Sequence, residues 1–200
     1  MITLSARPSK IYLYKLFDEV LKDYVDFNKS SLLDMGCGDA DLLQRNKIKD
    51  YTGVDLDINK IDLNKTKFKD KKFYFDDILK FEITKKFDFL VCLETITSNT
   101  KFDSEYKPDI KKIELLSNNM DKNLLNNGVI FLNISSSFFK IFNKSFLKNK
   151  NFVIEKKIRY GVLNGEYPYL ISSFLRYFEN IKILRKFFGK NFFLIIRKTI

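Results

Sequence analysis

Two hundred residues, 45% of them hydrophobic, suffice for one sizeable core, so a single domain over 1–200 is expected. Aromatic content of 16% argues against a disordered chain, and no apolar run reaches the roughly 18 residues of a membrane-spanning helix. The formal charge of +11 falls wholly after residue 139, where 14 Lys and Arg face three acids; this marks either a surface for an anionic partner or the solvated face of a Lys-biased chain.

The first ten residues are polar, carry Arg7 and Lys10, and do not resemble a secretory leader. Tyr12, Leu16, Val20 and Leu21 recur at helical spacing, which predicts a helix over 9–25. Short apolar runs then alternate with helix-capable stretches: Ser31–Met35, Tyr51–Leu56, Lys72–Phe75, Phe87–Leu93 and Val129–Ile134. Runs of this length, bounded by Gly, Asp or Asn, read as buried parallel strands, and the alternation predicts βαβ units in a doubly wound sheet. Between the last two, Pro108 suits the first turn of a helix with Ile110, Ile113, Leu116, Met120 and Leu124 on one face, ended by Asn126, Asn127 and Gly128. Beyond residue 135 the expected elements are a strand at Phe152–Tyr160, a helix over Glu166–Glu179, and two closing strands, Ile181–Phe187 and Asn191–Lys198. The short turn between the closing strands predicts an antiparallel pair. Cys37 and Cys92 both sit in apolar contexts, which fits a reducing cytoplasm rather than a disulfide framework.

The sharpest signal is Leu32-Leu33-Asp34-Met35-Gly36-Cys37-Gly38-Asp39-Ala40-Asp41, an apolar strand running into an acid and a Gly-x-Gly turn. Gly36 and Gly38 allow a tight turn and close approach of a ligand. The dinucleotide fingerprint would require Gly where Asp41 stands. Asp34, Asp39 and Asp41 surround the loop, with no base nearby in sequence before Arg45. A pyrophosphate would meet three carboxylates, whereas a cationic ligand without phosphate, such as S-adenosylmethionine, suits the site. About 20 residues on, where α/β sites bind a ribose diol, stand Asp55 and Asp57; Asp55 falls at the strand end and is preferred. Asp76, Asp77 and Ile78 end the next strand and offer an acceptor for an adenine amino group beside an apolar contact. Leu93 and Glu94 end the fourth strand, whose carboxyl end faces the same crevice.

The order and spacing of these segments resemble the class I S-adenosylmethionine-dependent methyltransferases over roughly residues 9–134 and the closing strands. That resemblance implies a Rossmann-like α/β fold, a doubly wound, mostly parallel seven-stranded sheet with an antiparallel last strand. It also implies S-adenosyl-L-methionine as cofactor. Asp34, Gly36 and Gly38 would line its amino-acid end, Asp55 would hold the ribose with Leu56 in the same cofactor-binding set, and Asp77 and Ile78 would meet the adenine. Leu93 and Glu94 would lie beside the methyl group. Residues 135–165 fall outside the resemblance and read as an acceptor-lid insertion.

The chain has no His, which excludes a His base; candidates are Glu94, Tyr160, Tyr167 and the insertion's lysines. Glu94 is also readable as a structural or adenosine-side contact, and the tyrosines of Tyr160–Tyr169 as core aromatics. The Asn/Asp-Pro-Pro-aromatic motif of exocyclic amino methyltransferases is missing after the fourth strand, and no cysteine cluster suggests zinc. Three readings stand: a methyltransferase for a small-molecule, sugar or lipid-linked acceptor, an anionic small molecule among the candidates; one for RNA or protein gripped by the basic third; and a non-catalytic cofactor-binding protein. In a strand, Lys157 and Arg159 share one face, and they are expected at the crevice mouth as the anion-attracting pair.

Overall fold

The computed structural model describes residues 5–6, 8–95, 103–104, 107–148, 151–163 and 167–199. Helix α1 (Pro8–Tyr24) opens on a proline, whose fixed φ suits a first turn. Strand β1 (Ser31–Met35), helix α2 (Asp41–Asn46), strand β2 (Asp50–Asp55), helix α3 (Ile58–Lys67), strand β3 (Lys72–Phe75) and strand β4 (Phe87–Cys92) follow. Helix α4 (Ile110–Asn123) leads to strand β5 (Leu124–Ser135), helix α5 (Ser136–Phe146) and strand β6 (Phe152–Tyr160). Helix α6 (Tyr169–Leu175), a 3₁₀ turn (Arg176–Asn180), helix α7 (Lys182–Phe188) and strand β7 (Asn191–Lys198) complete the order.

The seven strands form one sheet in the order β3-β2-β1-β4-β5-β7-β6. β1 to β5 are mutually parallel, and β7 runs antiparallel to both of its neighbours. Strand periodicity explains why both faces are apolar. Leu32, Phe89, Val91, Phe131, Phe193 and Ile195 face one side, with Leu13, Phe17 and Leu21 of α1 packed over them. Leu33, Leu90, Cys92, Ile130, Leu132 and Leu194 face the other, under Ile113, Leu116 and Met120 of α4 and Phe142 and Phe146 of α5. Each fully buried Leu or Phe of these two layers contributes about 1.5–3 kcal/mol.

Three expectations need correction. Pro108 lies in a two-residue ladder of Asp103–Ser104 with Lys107–Pro108, and α4 is capped instead by Asp109, whose carboxylate accepts the Lys112 N–H at 3.3 Å. Leu124 leaves that helix to pair with Phe87; the Asn126-Asn127-Gly128 break is realised as a register shift in the β4–β5 ladder, with Asn127 at φ +62°. Ile181–Phe187 is no strand. β7 already has β5 and β6 on its two sides, so a further strand there has no edge to join, and Lys182-Ile183-Leu184-Arg185-Lys186 favours helix. The antiparallel strand is therefore set by insertion between β5 and β6 rather than by a hairpin. Within 135–165 the chain supplies α5, with Phe142 and Phe146 fully buried, and the edge strand β6. The helix expected over Glu166–Glu179 is α6 and the 3₁₀ turn; Glu166 lies outside the described residues.

Candidate functional site

At the carboxyl ends of β1 to β4 the chain encloses a cavity of about 640 Å³. Asp34, Gly36 and Gly38 line it from β1, Asp55 and Leu56 from β2, Asp77 and Ile78 after β3, and Leu93 and Glu94 after β4. These residues are far apart in sequence and meet because parallel strands all end on the same side, which is where open α/β sheets hold ligands.

The loop after β1 is built by two positive-φ glycines. Gly36 has φ +85°, and a Cβ there would stand 2.3 Å from the Thr95 hydroxyl, which bridges toward the Leu93 and Met35 carbonyls at 3.0 and 3.2 Å. Gly38 has φ +50° and open space beside it, with only Lys60 Nζ within reach at 3.8 Å. Its N–H donates to Asp55 Oδ2 at 2.8 Å, and its carbonyl accepts from Asn64 Nδ2 at 2.8 Å. Asp55 Oδ1 accepts the Asp57 N–H at 2.9 Å. The Asp55 carboxylate thus locks the glycine loop to β2 and keeps one further lone pair on each oxygen for a ligand. Asp57 instead caps α3, accepting from the Asn59 and Lys60 N–H groups.

Asp34 is 6% exposed and accepts a hydrogen bond from the Tyr51 hydroxyl at 2.7 Å. Burial pushes its carboxyl up to about 7, and the nearby Asp55 charge adds to the rise; the Tyr51 bond and Arg45 oppose it. A buried carboxyl poised in this way is receptive to a cation. Asp77 accepts the Leu79 N–H at 2.9 Å in the turn after β3, and Ile78 is buried beside it. Burial also raises both thiols, Cys92 to about 12, so neither is a nucleophile at neutral pH.

Glu94 has a left-handed backbone, φ +58°, unusual for a residue with a side chain. Asn133 of β5 holds it there: Asn133 Oδ1 accepts the Glu94 N–H at 2.6 Å, and Nδ2 donates to Glu94 Oε1 at 2.8 Å. The second Nδ2 proton goes to the Tyr160 hydroxyl at 2.8 Å. Glu94 and Tyr160, both candidate bases, are therefore two ends of one network. Only Glu94 lines the cavity, and Tyr160 is buried behind Asn133. Asn133 escaped the sequence reading, although a lone amide inside the apolar run Ile130-Phe131-Leu132-Asn133-Ile134 is a legible signal.

Sequence reasoning also missed the cavity's cations. Lys10 and Tyr14 come from α1, Lys60 from α3 and Lys112 from α4, joining Arg45 of α2. Arg45 stacks on the Tyr14 ring at 4.4 Å and pairs with Asp18 at 3.4 Å, while Lys60 pairs with Asp39 at 3.2 Å. The carboxylates around the loop are thus partly compensated, and the six acids of the lining outnumber its four bases by two. Burial raises the Tyr14 phenol, with the Glu94 and Asp41 charges adding to the rise, so it stays protonated.

Lys157 and Arg159 do share a face of β6, but it does not line the cavity. Lys157 lies 4.5 Å from the Phe139 ring and 5.1 Å from the Phe192 ring, Arg159 lies 4.9 Å from Phe192, and its guanidinium donates to the Lys186 carbonyl at 2.6 Å. β6 is the sheet edge, where charged side chains discourage pairing with another chain.

No family model matches the sequence, and no curated protein matches it. Solved structures do. The N-methyltransferase NodS from Bradyrhizobium japonicum aligns over 95% of this chain and 98% of its own at 14% identity and TM-score 0.62; it has also been solved with S-adenosyl-L-homocysteine. A TehB-like SAM-dependent methyltransferase from Corynebacterium glutamicum covers 96% of this chain and 98% of its own at 17% identity and TM-score 0.60. The StiE O-methyltransferase covers 92% of this chain and 74% of its own at 17% identity and TM-score 0.63. The chain has the class I S-adenosylmethionine-dependent methyltransferase fold. The structures it is similar to include both N- and O-methyltransferases.

Proposed function

We propose that the cavity binds S-adenosyl-L-methionine and that the chain is a methyltransferase for a small-molecule, sugar or lipid-linked acceptor carrying negative charge. The observation that carries the cofactor reading is the row of carboxylates Asp34, Asp55 and Asp77 across the ends of β1, β2 and β3, in one cavity with the Gly36–Gly38 turn. Their acceptor chemistry suits an ammonium, a ribose diol and an adenine amino group in that order, and the acidic excess suits a cationic ligand. Bound there, S-adenosylmethionine supplies an activated methyl on a sulfonium.

The chain's own residues do the rest. The glycine loop leaves room beside Gly38, and Asp34 holds the ammonium. Glu94, fixed by Asn133, presents a carboxylate at the cavity that accepts the acceptor's proton. Lys10, Arg45 and Lys112 favour an acceptor with an anionic group. The bases at Lys157 and Arg159 stand outside the lining, so a polymer gripped by that pair finds no support.

Calorimetric titration with S-adenosylmethionine tests the cofactor reading. The Gly38→Val variant, with a branched side chain forced to positive φ beside the ligand's path, should lose binding while its circular dichroism stays that of the parent. Undiminished affinity in the folded variant refutes the site. Methyl-labelled cofactor offered to a metabolite extract should label anionic small molecules; label entering RNA or protein instead refutes the acceptor reading.

A further inference from the structure

The segment from Leu170 to Lys190 exposes apolar surface on helices that ought to bury it. α7 has no buried residue at all, yet carries Ile183 at 68% and Phe187 at 69% exposure. These two stand one turn apart and form a stripe; Lys182 and Lys186 form the adjoining stripe at the same spacing. α6 repeats the pattern with Leu170 at 82% and Phe174 at 67%. α6 and α7 both contact the 3₁₀ turn that joins them, and that turn exposes Tyr177 and Phe178.

Apart from one buried acid, the charges in this segment have one sign. Arg176, Lys182, Arg185, Lys186 and Lys190 face a single acid, Glu179. Glu179 is fully buried, and its carboxylate accepts the Gly161, Val162 and Leu163 N–H groups at 2.9, 2.6 and 3.3 Å. No exposed carboxylate therefore offsets the bases between residues 170 and 190.

We propose that the face formed by α6, the 3₁₀ turn and α7 docks on an anionic lipid bilayer, lying in the interface with its Phe, Ile and Leu side chains inserted and its lysines at the headgroups. Among the described residues no helix is long and apolar enough to cross a membrane, so the contact is with the surface. A second copy of the chain is a poorer occupant, because a two-fold contact sets like charges against like. RNA rewards basic and aromatic groups but gains nothing from exposed Leu170, Ile171 and Ile183. α1 contacts this face through α6 and the 3₁₀ turn, with Arg185 hydrogen-bonded to the Tyr12 hydroxyl, and the same helix carries Lys10 and Tyr14 to the cavity. The inference goes beyond the cofactor reading and does not depend on it.

Flotation of the whole chain with vesicles tests it. Vesicles of equal parts phosphatidylglycerol and phosphatidylcholine should carry the protein up the gradient, and pure phosphatidylcholine should bind at least about 25-fold more weakly, because it removes the attraction for every base of the face. Ile183→Ser with Phe187→Ser should lower the anionic-vesicle affinity more than about tenfold. Lys182→Gln with Lys186→Gln should lower it about 25-fold, with added salt acting in the same direction. All four side chains are exposed, so circular dichroism and S-adenosylmethionine affinity should match the parent; that second readout separates failure here from failure of the cofactor reading. Absence of vesicle binding, equal binding to neutral vesicles, tighter binding of polyuridylic acid than of anionic vesicles, or a dimer in sedimentation that the Ser pair dissolves would each overturn the proposal.

Discussion

Lowering the pH from 7 to 6 should weaken S-adenosylmethionine binding about fivefold through Asp34 alone, and each further unit should cost about tenfold. The reasoning starts from burial. Asp34 is enclosed at the end of β1 with one hydrogen bond, from Tyr51, and burial holds its carboxyl up at about 7. A ligand ammonium needs the ionised form, which is about half populated at pH 7 and about one part in eleven at pH 6. Below pH 7 a ligand α-amino group, ordinarily near 7.7–8.0, keeps its charge, so the carboxyl is the group that titrates.

The same shift sets a stability trend of opposite sense. The folded pKa lies above the unfolded value of 3.8, so the folded state holds a proton that the unfolded chain releases. The stability contributed by this group is full below about 3.8 and is lost as pH rises through about 7, a total of about 4 kcal/mol. Ligand binding should restore it and release about half a proton at pH 7, read by calorimetry in buffers of different ionisation enthalpy. Asp34→Asn should abolish both the pH slope and the proton release, with weakened affinity. An affinity flat from pH 7 to 5.5, with no buffer dependence, would refute the assignment of Asp34 to the cation.

Three further outcomes follow from the side-chain contacts. Asp55→Ala should weaken cofactor binding by roughly 1.5–3 kcal/mol and also lower the melting temperature, since Gly38 and Asp57 lose their partner; Asp57→Ala should cost only helix-cap stability, about 1 kcal/mol. Asn133→Ala frees both the Glu94 backbone N–H and its carboxylate, so methyl transfer should fall by at least about tenfold while cofactor affinity changes little, measured by single-turnover labelling beside calorimetry. Lys157→Gln with Arg159→Gln should leave cofactor affinity unchanged at low and near-physiological salt and lower stability by about 1–2 kcal/mol through the lost cation–aromatic contacts, seen in urea denaturation.

Much of the fold could be read in the sequence because the core strands obey one simple rule. β1, β4 and β5 are buried on both faces, so they appear as continuous apolar runs bounded by Asp, Gly or Asn, and their carboxyl ends locate the cavity without coordinates. The elements that misled were those whose state depends on a distant neighbour. Ile181–Phe187 is apolar enough for a strand, but whether a strand forms depends on a free sheet edge, and β6 from thirty residues earlier has taken it. The acids of the cavity lie next to the glycine motif or at strand ends and were legible there. Lys10, Tyr14, Lys60 and Lys112 arrive from helices and carry no local mark of where they point.

The charge asymmetry resolves in the same way. Read along the chain, +11 in the last third suggests a single anion-seeking surface at the cavity, but the cavity's four bases all come from the first 139 residues, whose net charge is zero. The C-terminal bases go to several different uses. Lys157 and Arg159, on the edge strand, cover the Phe139 ring of α5 and the Phe192 ring of β7; Arg197 pairs with Glu155; and Lys198 donates to the Asp121 and Leu124 carbonyls at 2.7 and 3.1 Å. Within the exposed helices, Arg185 reaches Tyr12, while Lys182, Lys186 and Lys190 remain at the surface beside uncovered Ile and Phe side chains. What distinguishes that last group is its apolar company rather than its charge. An anionic small molecule would neutralise the lysines and leave Phe187 in water, whereas an anionic bilayer satisfies both kinds of side chain at once.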